Sequence, residues 1–112
     1  MPQNFKRLGS INPSANTQTN VYVVPSSTEA VISTITICNQ SSANHLYSIA
    51  MMTASEFNAA APDSSFIVRD AALPASDTIV LTIGLTANDG TVLTANTSNA
   101  NVSFNVFGSE LT

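Results

Sequence analysis

Glu29-Ala30-Val31-Ile32-Ser33-Thr34-Ile35-Thr36-Ile37-Cys38-Asn39 is the longest run of strand-forming residues in the chain. Val31, Ile32, Thr34, Ile35, Thr36 and Ile37 are all β-branched, which suits a pleated sheet and disfavours a helix. Side chains alternate across a strand. Val31, Ile35 and Ile37 are therefore expected on one face with Ser33 between them, and Ile32, Thr34, Thr36 and Cys38 on the other. One face is apolar and the other mixed, which predicts a strand partly covered on its second side, in the middle of a sheet. Pro25-Ser26-Ser27-Thr28 stops the preceding segment, and Asn39-Gln40-Ser41-Ser42 ends this one.

Working outward, Val21-Tyr22-Val23-Val24 reads as a strand ended by Pro25, and the short turn predicts an antiparallel pair with 29–39. His45–Met52 is the next strand, with Leu46, Ser48, Ala50 and Met52 facing one way and Tyr47, Ile49 and Met51 the other. Residues 53–62 read as a long loop with room for one helical turn before Pro62. Ser65–Asp70 is a strand, Leu73–Asp77 a turn, and Thr78–Ile83 a strand with Ile79, Leu81 and Ile83 inward. Gly84 marks a bulge or bend. Asn88-Asp89-Gly90 is a hairpin turn, Thr91–Ala95 a short strand, and Asn96–Asn101 a polar loop. Val102-Ser103-Phe104-Asn105-Val106 alternates strictly, with Phe107 closing it. The pattern predicts an all-β fold, an antiparallel β-sandwich of seven or eight strands, jelly-roll-like.

A chain of 112 residues is one domain with a sizeable core. Charged residues make up only 9% of it, against about 25% in an average soluble domain. Ser, Thr, Asn and Gln number 43, so the surface is polar but largely uncharged. Such a surface gives weak electrostatic protection against edge-to-edge pairing, which predicts a homo-oligomer or a place inside an assembly. The net charge of −4 with three basic residues argues against nucleic acid and anionic membrane as partners. No long apolar run predicts a membrane span. Met1-Pro2-Gln3-Asn4 lacks the apolar stretch of a secretory signal.

Residues 1–18 read as an N-terminal arm with one short strand, Phe5 to Gly9, and residues 19–112 as the sandwich domain. Lys6 and Arg7 are two of the three cations. They predict a partner-binding arm in which Phe5 and Leu8 are apolar anchors and Lys6 and Arg7 meet an acidic surface.

No catalytic constellation is present. His45 is the single histidine, and no nucleophile motif surrounds any Ser. Cys38 reads as a buried small residue with no cation near in sequence. Glu56, Asp63, Asp70, Asp77 and Asp89 are dispersed as turn residues and form no calcium loop. Tyr22, Tyr47, Phe57 and Phe66 fit core packing better than a sugar-stacking platform. No enzyme activity, cofactor or metal is expected.

Several pieces, in their order and spacing, carry a family likeness. They are Phe5-Lys6-Arg7-Leu8-Gly9, Tyr22-Val23-Val24-Pro25, Glu29-Ala30-Val31-Ile32-Ser33-Thr34-Ile35 and Cys38-Asn39-Gln40-Ser41. Leu73-Pro74-Ala75-Ser76-Asp77-Thr78, Leu81-Thr82-Ile83-Gly84-Leu85 and the end from Asn101 to Glu110 complete the set. Through these the chain resembles short virion structural proteins of tailed phages, especially those of aquatic bacteria, including cyanophage-like ones. The resemblance implies a virion protein assembled in the bacterial host cytoplasm, with other phage structural proteins, capsid or tail subunits, as partners. The resemblance by itself does not separate head from tail. Low charge, the lack of a secretory signal and the N-terminal arm fit a capsid decoration or cement protein, with a tail, baseplate or fibre component that touches the host surface as the alternative. In the alternative, the polar loops 39–44 and 96–101 are the contact sites.

Overall fold

The structure, a computed structural model, describes residues 3–53 and 60–111. Its strands are β1 (Gln3–Ile11), β2 (Thr19–Val23), β3 (Glu29–Asn39), β4 (His45–Met52), β5 (Phe66–Leu73), β6 (Thr78–Ala87), β7 (Val92–Thr97) and β8 (Val102–Leu111). A 3-10 turn at Asp63–Ser65 is the one helical element among the described residues. Sheet A has the order β1-β8-β3-β6 and sheet B the order β2-β7-β4-β5. Every pairing is antiparallel.

The order has a simple logic. β1 lies beside β8, β2 beside β7, β3 beside β6 and β4 beside β5. The chain is one long hairpin that turns back between β4 and β5, rolled so that successive pairs fall alternately in the two sheets. This is an antiparallel β-sandwich of eight strands, as the pattern of seven or eight short strands led one to expect. β3 sits between β8 and β6, in the middle of its sheet as its two-sided composition required.

Ile32, Ile35, Ile37, Val102, Phe104 and Val106 of sheet A are at most 1% exposed. They pack on Tyr47, Ile49, Leu93 and Ala95 of sheet B in one core cluster, with Leu81 partly buried at its margin. The alternation of β4 holds, since Tyr47 and Ile49 join this cluster and Met51 packs against it. Ser48, Ala50 and Met52, on the opposite face, are nevertheless buried. The 3-10 turn packs against β4, and the Ala61 N–H donates to Gln18 Oε1 at 2.9 Å, which holds the chain down beside that face. The helical turn considered for 53–62 falls mainly on residues outside those described.

Three sequence expectations need correction. The first is the face of Ile32. Sheet A carries bulges at one level in β1, β3 and β6, while β8 runs through that level unbroken. Arg7 pairs with Phe107 and Gly9 with Val106, leaving Leu8 extra on β1. Ile32 pairs with Gly108 and Thr34 with Phe107, leaving Ser33 extra on β3. On the far side Ile32 pairs with Leu85 and Thr34 with Thr82, which places Ile83-Gly84 in the bulge of β6. A bulge resets the two-residue period. Ala30 and Ile32 therefore point into the core together with Ile35 and Ile37, while Val31 turns outward. Gly108 permits this level, because a Cβ there would stand 2.0 Å from the Val31 carbonyl oxygen.

The second correction concerns β2. It does not pair with β3; it pairs with β7 in the other sheet. Ser27 adopts φ 58°, and Val24 exchanges backbone hydrogen bonds with Gly90 and Thr91. The turn therefore carries the chain across the sandwich instead of folding it back in plane.

The third is the arm. Residues 3–11 are an edge strand of sheet A, paired with β8 from Gln3↔Leu111 to Ile11↔Phe104. The connection that follows is also tied down. Asn12 Nδ2 donates to the Val102 carbonyl at 2.5 Å, and the Asn16 N–H donates to the Thr97 carbonyl at 2.7 Å. The boundary between arm and sandwich therefore does not fall at 18/19. Strand pairing uses backbone groups that every residue but proline supplies, so a stretch with few apolar side chains still forms a strand when a neighbour offers an edge.

Candidate functional site

The four residues assigned to a docking arm separate into two pairs. Lys6 and Leu8 serve the fold. Leu8 packs against the core at the β1 bulge. Lys6 Nζ lies 2.8 Å from Glu110 Oε1. The other oxygen of Glu110, Oε2, accepts the Tyr22 hydroxyl at 2.5 Å. Glu110 thus joins β1 and β8 of sheet A to β2 of sheet B, with Tyr22 8% and Glu110 9% exposed. Lys6 holds the Glu110 carboxyl below the ordinary carboxylate range, with help from the Tyr22 hydrogen bond and against burial. Burial, then the bond to Glu110 and its charge, raise the Tyr22 phenol. Both directions favour a neutral phenol donating to a carboxylate that a lysine neutralises.

Phe5 and Arg7 face the other way, outward from sheet A. Phe5 is 78% exposed. Arg7 is exposed beside its register partner Phe107 and makes no ion pair among the described residues. The register extends this surface. Arg7, Phe107, Thr34 and Thr82 form one cross-strand row, and Ser10, Asn105, Thr36 and Val80 the next. Phe5, Val31, Ser33, Gly108 and Ser109 line a hollow of about 150 Å³. Arg7 and, at the foot of β3, Glu29 are the charged residues in the outward positions of this sheet among the described residues.

Phe107, Val31 and Val80 were not singled out in the sequence. The signal for Phe107 was there: if Val102, Phe104 and Val106 point inward, the next residue must point out. Val80 is outward by the same rule between Ile79 and Leu81. Val31 was hidden by the bulge. Cys38 needs correction as well. It is partly exposed on this same face, opposite Ser103 and Thr78, not a buried core residue.

Sheet B's outer face is different in kind. A polar groove of about 180 Å³ runs past Gln18, Ser48, Phe66, Arg69, Asp70 and Asn96. Arg69 sits 4.6 Å above the Phe66 ring and reaches Asp63 at 2.6 Å. The ring face that a sugar would stack on is therefore covered. Tyr22 and Tyr47 are buried, and Phe57 lies outside the described residues. Asp70 adopts φ 50° and receives its turn from Ser48, whose Oγ accepts the Asp70 N–H at 2.9 Å.

The remaining polar groups do structural work. His45 Nδ1 lies 3.3 Å from Ser98 Oγ, but that oxygen already accepts the Leu46 N–H at 3.0 Å. No carboxylate is hydrogen-bonded to the imidazole among the described residues, so the pair lacks the third member that makes a serine nucleophilic. Asp77 accepts the Thr78 N–H and Asp89 the Ser27 N–H. No three His, Cys, Asp or Glu side chains converge to hold a metal among the described residues, and no described helix is long and apolar enough to cross a membrane.

One end of the sandwich is organised by Asn39. Its side chain is 1% exposed. Nδ2 donates to the carbonyls of Ala43, Leu73 and Pro74 at 2.9–3.2 Å, and Oδ1 accepts the Ser41 N–H at 3.0 Å. Gln40 N–H donates to the Asn101 carbonyl, and Ser76 N–H to the Ser41 carbonyl. These bonds draw the loops 40–44, 74–77 and 98–101 into one cluster.

No family model matches the sequence, and no curated protein does. Among solved structures, the chain is similar to two crystal structures described as a pentameric capsid protein isolated from metagenomic phage sequences. One is 19% identical with a TM-score of 0.35, covering 96% of this chain and 63% of the other. The second, solved by iodide SAD phasing, is 18% identical with a TM-score of 0.31, covering 96% of this chain and 67% of that one. The chain thus spans about two-thirds of the length of these proteins.

Proposed function

We propose that this chain is a non-enzymatic structural protein of a phage virion, a capsid decoration or cement protein that packs on other capsid subunits through the outer face of sheet A. The observation that carries this reading is the nearly charge-free outer face, with Phe5, Phe107 and Val80 exposed at 78%, 38% and 58%. A face of that composition costs little to desolvate and has ready anchors, the pattern of an interface core. Phe5 beside the hollow lined by Val31 and Gly108 offers both a knob and a hole. Arg7 supplies one charge for orientation. The docking role foreseen for the N-terminal residues is retained for Phe5 and Arg7, acting from an edge strand and not from a loose arm.

The test uses particles lacking the protein. Wild-type chain is added, and beside it a variant with Phe5→Ser and Phe107→Ser, both on exposed positions that leave the core intact. Occupancy is measured after sedimentation of the particles. The variant is expected to bind much more weakly. Occupancy equal to wild type, with both proteins folded by circular dichroism, overturns the reading.

One observation favours a tail, baseplate or fibre location instead: the polar loops 39–44 and 96–101 are drawn together at one end of the sandwich. Copy number in purified virions separates the two. Head decoration requires copies on the scale of the capsid lattice, and a baseplate or fibre tip requires few.

A further inference from the structure

A sheet of finite width has two edges, and natural proteins protect them with charge, proline, bulges or brevity. Three of the four edges here are protected. β1 carries Lys6, Arg7 and a bulge. β2 has five residues and a register shift. β5 carries Arg69 and Asp70, two register shifts, and a positive φ at Asp70. β6 is the exception. Thr78-Ile79-Val80-Leu81-Thr82 has no charge and no proline, and it pairs in unbroken register with Cys38 to Thr34 of β3. The single irregularity of β6 lies beyond this stretch, at Ile83-Gly84. No loop among the described residues hydrogen-bonds to its open side. Thr78, Val80 and Thr82 are exposed, and Ile79 and Leu81 only partly buried.

The segment also reads nearly the same in both directions. Threonine stands at each end, valine at the centre, and isoleucine and leucine between. Antiparallel pairing of two copies about Val80 sets Val80 against Val80, Thr78 against Thr82 and Ile79 against Leu81. Each of these is a favourable cross-strand match. Because the pairing is antiparallel and two-fold, outward residues meet outward residues, and the partly buried Ile79 and Leu81 meet at the margin of both cores. Asp77 then lies opposite Ile83 of the partner, well away from the partner's own Asp77, so no like charges are brought together.

We propose that β6 is a homodimerisation edge, occupied by β6 of a second copy about a two-fold axis through Val80. The result is a continuous eight-stranded sheet across two molecules. The pairing adds a surface beyond the outer face assigned to particle docking and does not rest on the virion reading. It is tested in solution, without particles.

The test is a charge swap at an exposed position. Val80→Lys and Val80→Glu are made separately, and self-association is measured by sedimentation velocity over a concentration series. Like charges directly opposite one another destabilise a strand pair. Each variant alone is expected to associate at least about tenfold more weakly than wild type, and an equimolar mixture of the two to regain association. A folding defect cannot produce recovery on mixing. A wild-type chain that stays monomeric up to millimolar concentration overturns the proposal. So does either variant associating as well as wild type, and so does a mixture no more associated than its components, since that places Val80 away from the axis.

Discussion

Tyr22→Phe removes one hydroxyl and leaves the ring that packs in the core. Its partner, Glu110, is 9% exposed and accepts that hydroxyl at 2.5 Å. A buried hydrogen bond to a charged group contributes about 1.5–3 kcal/mol. Lys6 remains on Glu110 at 2.8 Å, so the carboxylate is not stranded, and the loss stays below the roughly 3–5 kcal/mol of an uncompensated buried charge. We expect a loss of about 2 kcal/mol at neutral pH. In urea, with a slope of about 1–3 kcal/mol/M, the unfolding midpoint should fall by roughly 1 M at unchanged slope. The pH dependence sharpens the test. Lys6, then Tyr22, hold the folded carboxyl of Glu110 below its ordinary value of 4.5. Folding therefore gains from the ionised form, a gain present above pH 4.5 and lost as pH falls through the lower folded value. Once Glu110 is protonated, the hydroxyl bond is a neutral one of about 0.5–1.5 kcal/mol, so the gap between wild type and variant should narrow in acid. At the alkaline end the raised phenol of Tyr22 acts in the opposite sense. Its contribution is complete below pH 10 and is lost as pH rises toward the folded value, a loss the Phe variant lacks. A difference under about 0.5 kcal/mol at neutral pH, or one that stays constant into acid, would refute the account of this triad.

Phe104 is 0% exposed in the centre of the core, and Phe104→Ala should cost about 3–5 kcal/mol in chemical denaturation. Asn39→Leu removes the donors to three carbonyls and should cost about 1–3 kcal/mol, with faster hydrogen exchange in 40–44 and 74–77 as the local signature. Gly108→Ala should destabilise more than a surface substitution, with loss of amide protection at the β3–β8 pairing, because the new Cβ meets the Val31 carbonyl at 2.0 Å; wild-type stability in that variant would mean the bulge level is looser than described.

The strands were legible because each obeys a short-range rule. β4 and β8 alternate, β3 is β-branched, and Asn88-Asp89-Gly90 turns with Gly90 at φ 81°, although the turn carries the chain from sheet A to sheet B and makes no hairpin, since β6 and β7 do not pair. The failures share a cause: each depends on a residue distant in the chain. Ile32 faces inward because Gly108 lets β3 and β8 shift register beside it. β2 leaves β3 because β7 offers it an edge. Lys6 looked like a free cation because its partner, Glu110, stands at the opposite end of the sequence. At the candidate surface, Phe5 and Arg7 were found from composition. Phe107 and Val80 follow from alternation carried one residue further, whereas Val31 needed the bulge.

The position of β8 has a consequence for synthesis. It lies between β1 and β3, so β1 has no neighbour in its sheet until residues 102–111 have left the ribosome. β2 likewise waits for β7. The nascent chain thus carries β1 and β2 unpaired in their sheets while the strands between them and their partners are made. Pairings between such distant segments form slowly because the connecting chain must be closed before any contact is gained. A premature stop before Val102 would remove the strand that both β1 and β3 hydrogen-bond to, leaving the uncharged stretch of β3 from Ala30 to Asn39 with an edge open to association with other nascent chains.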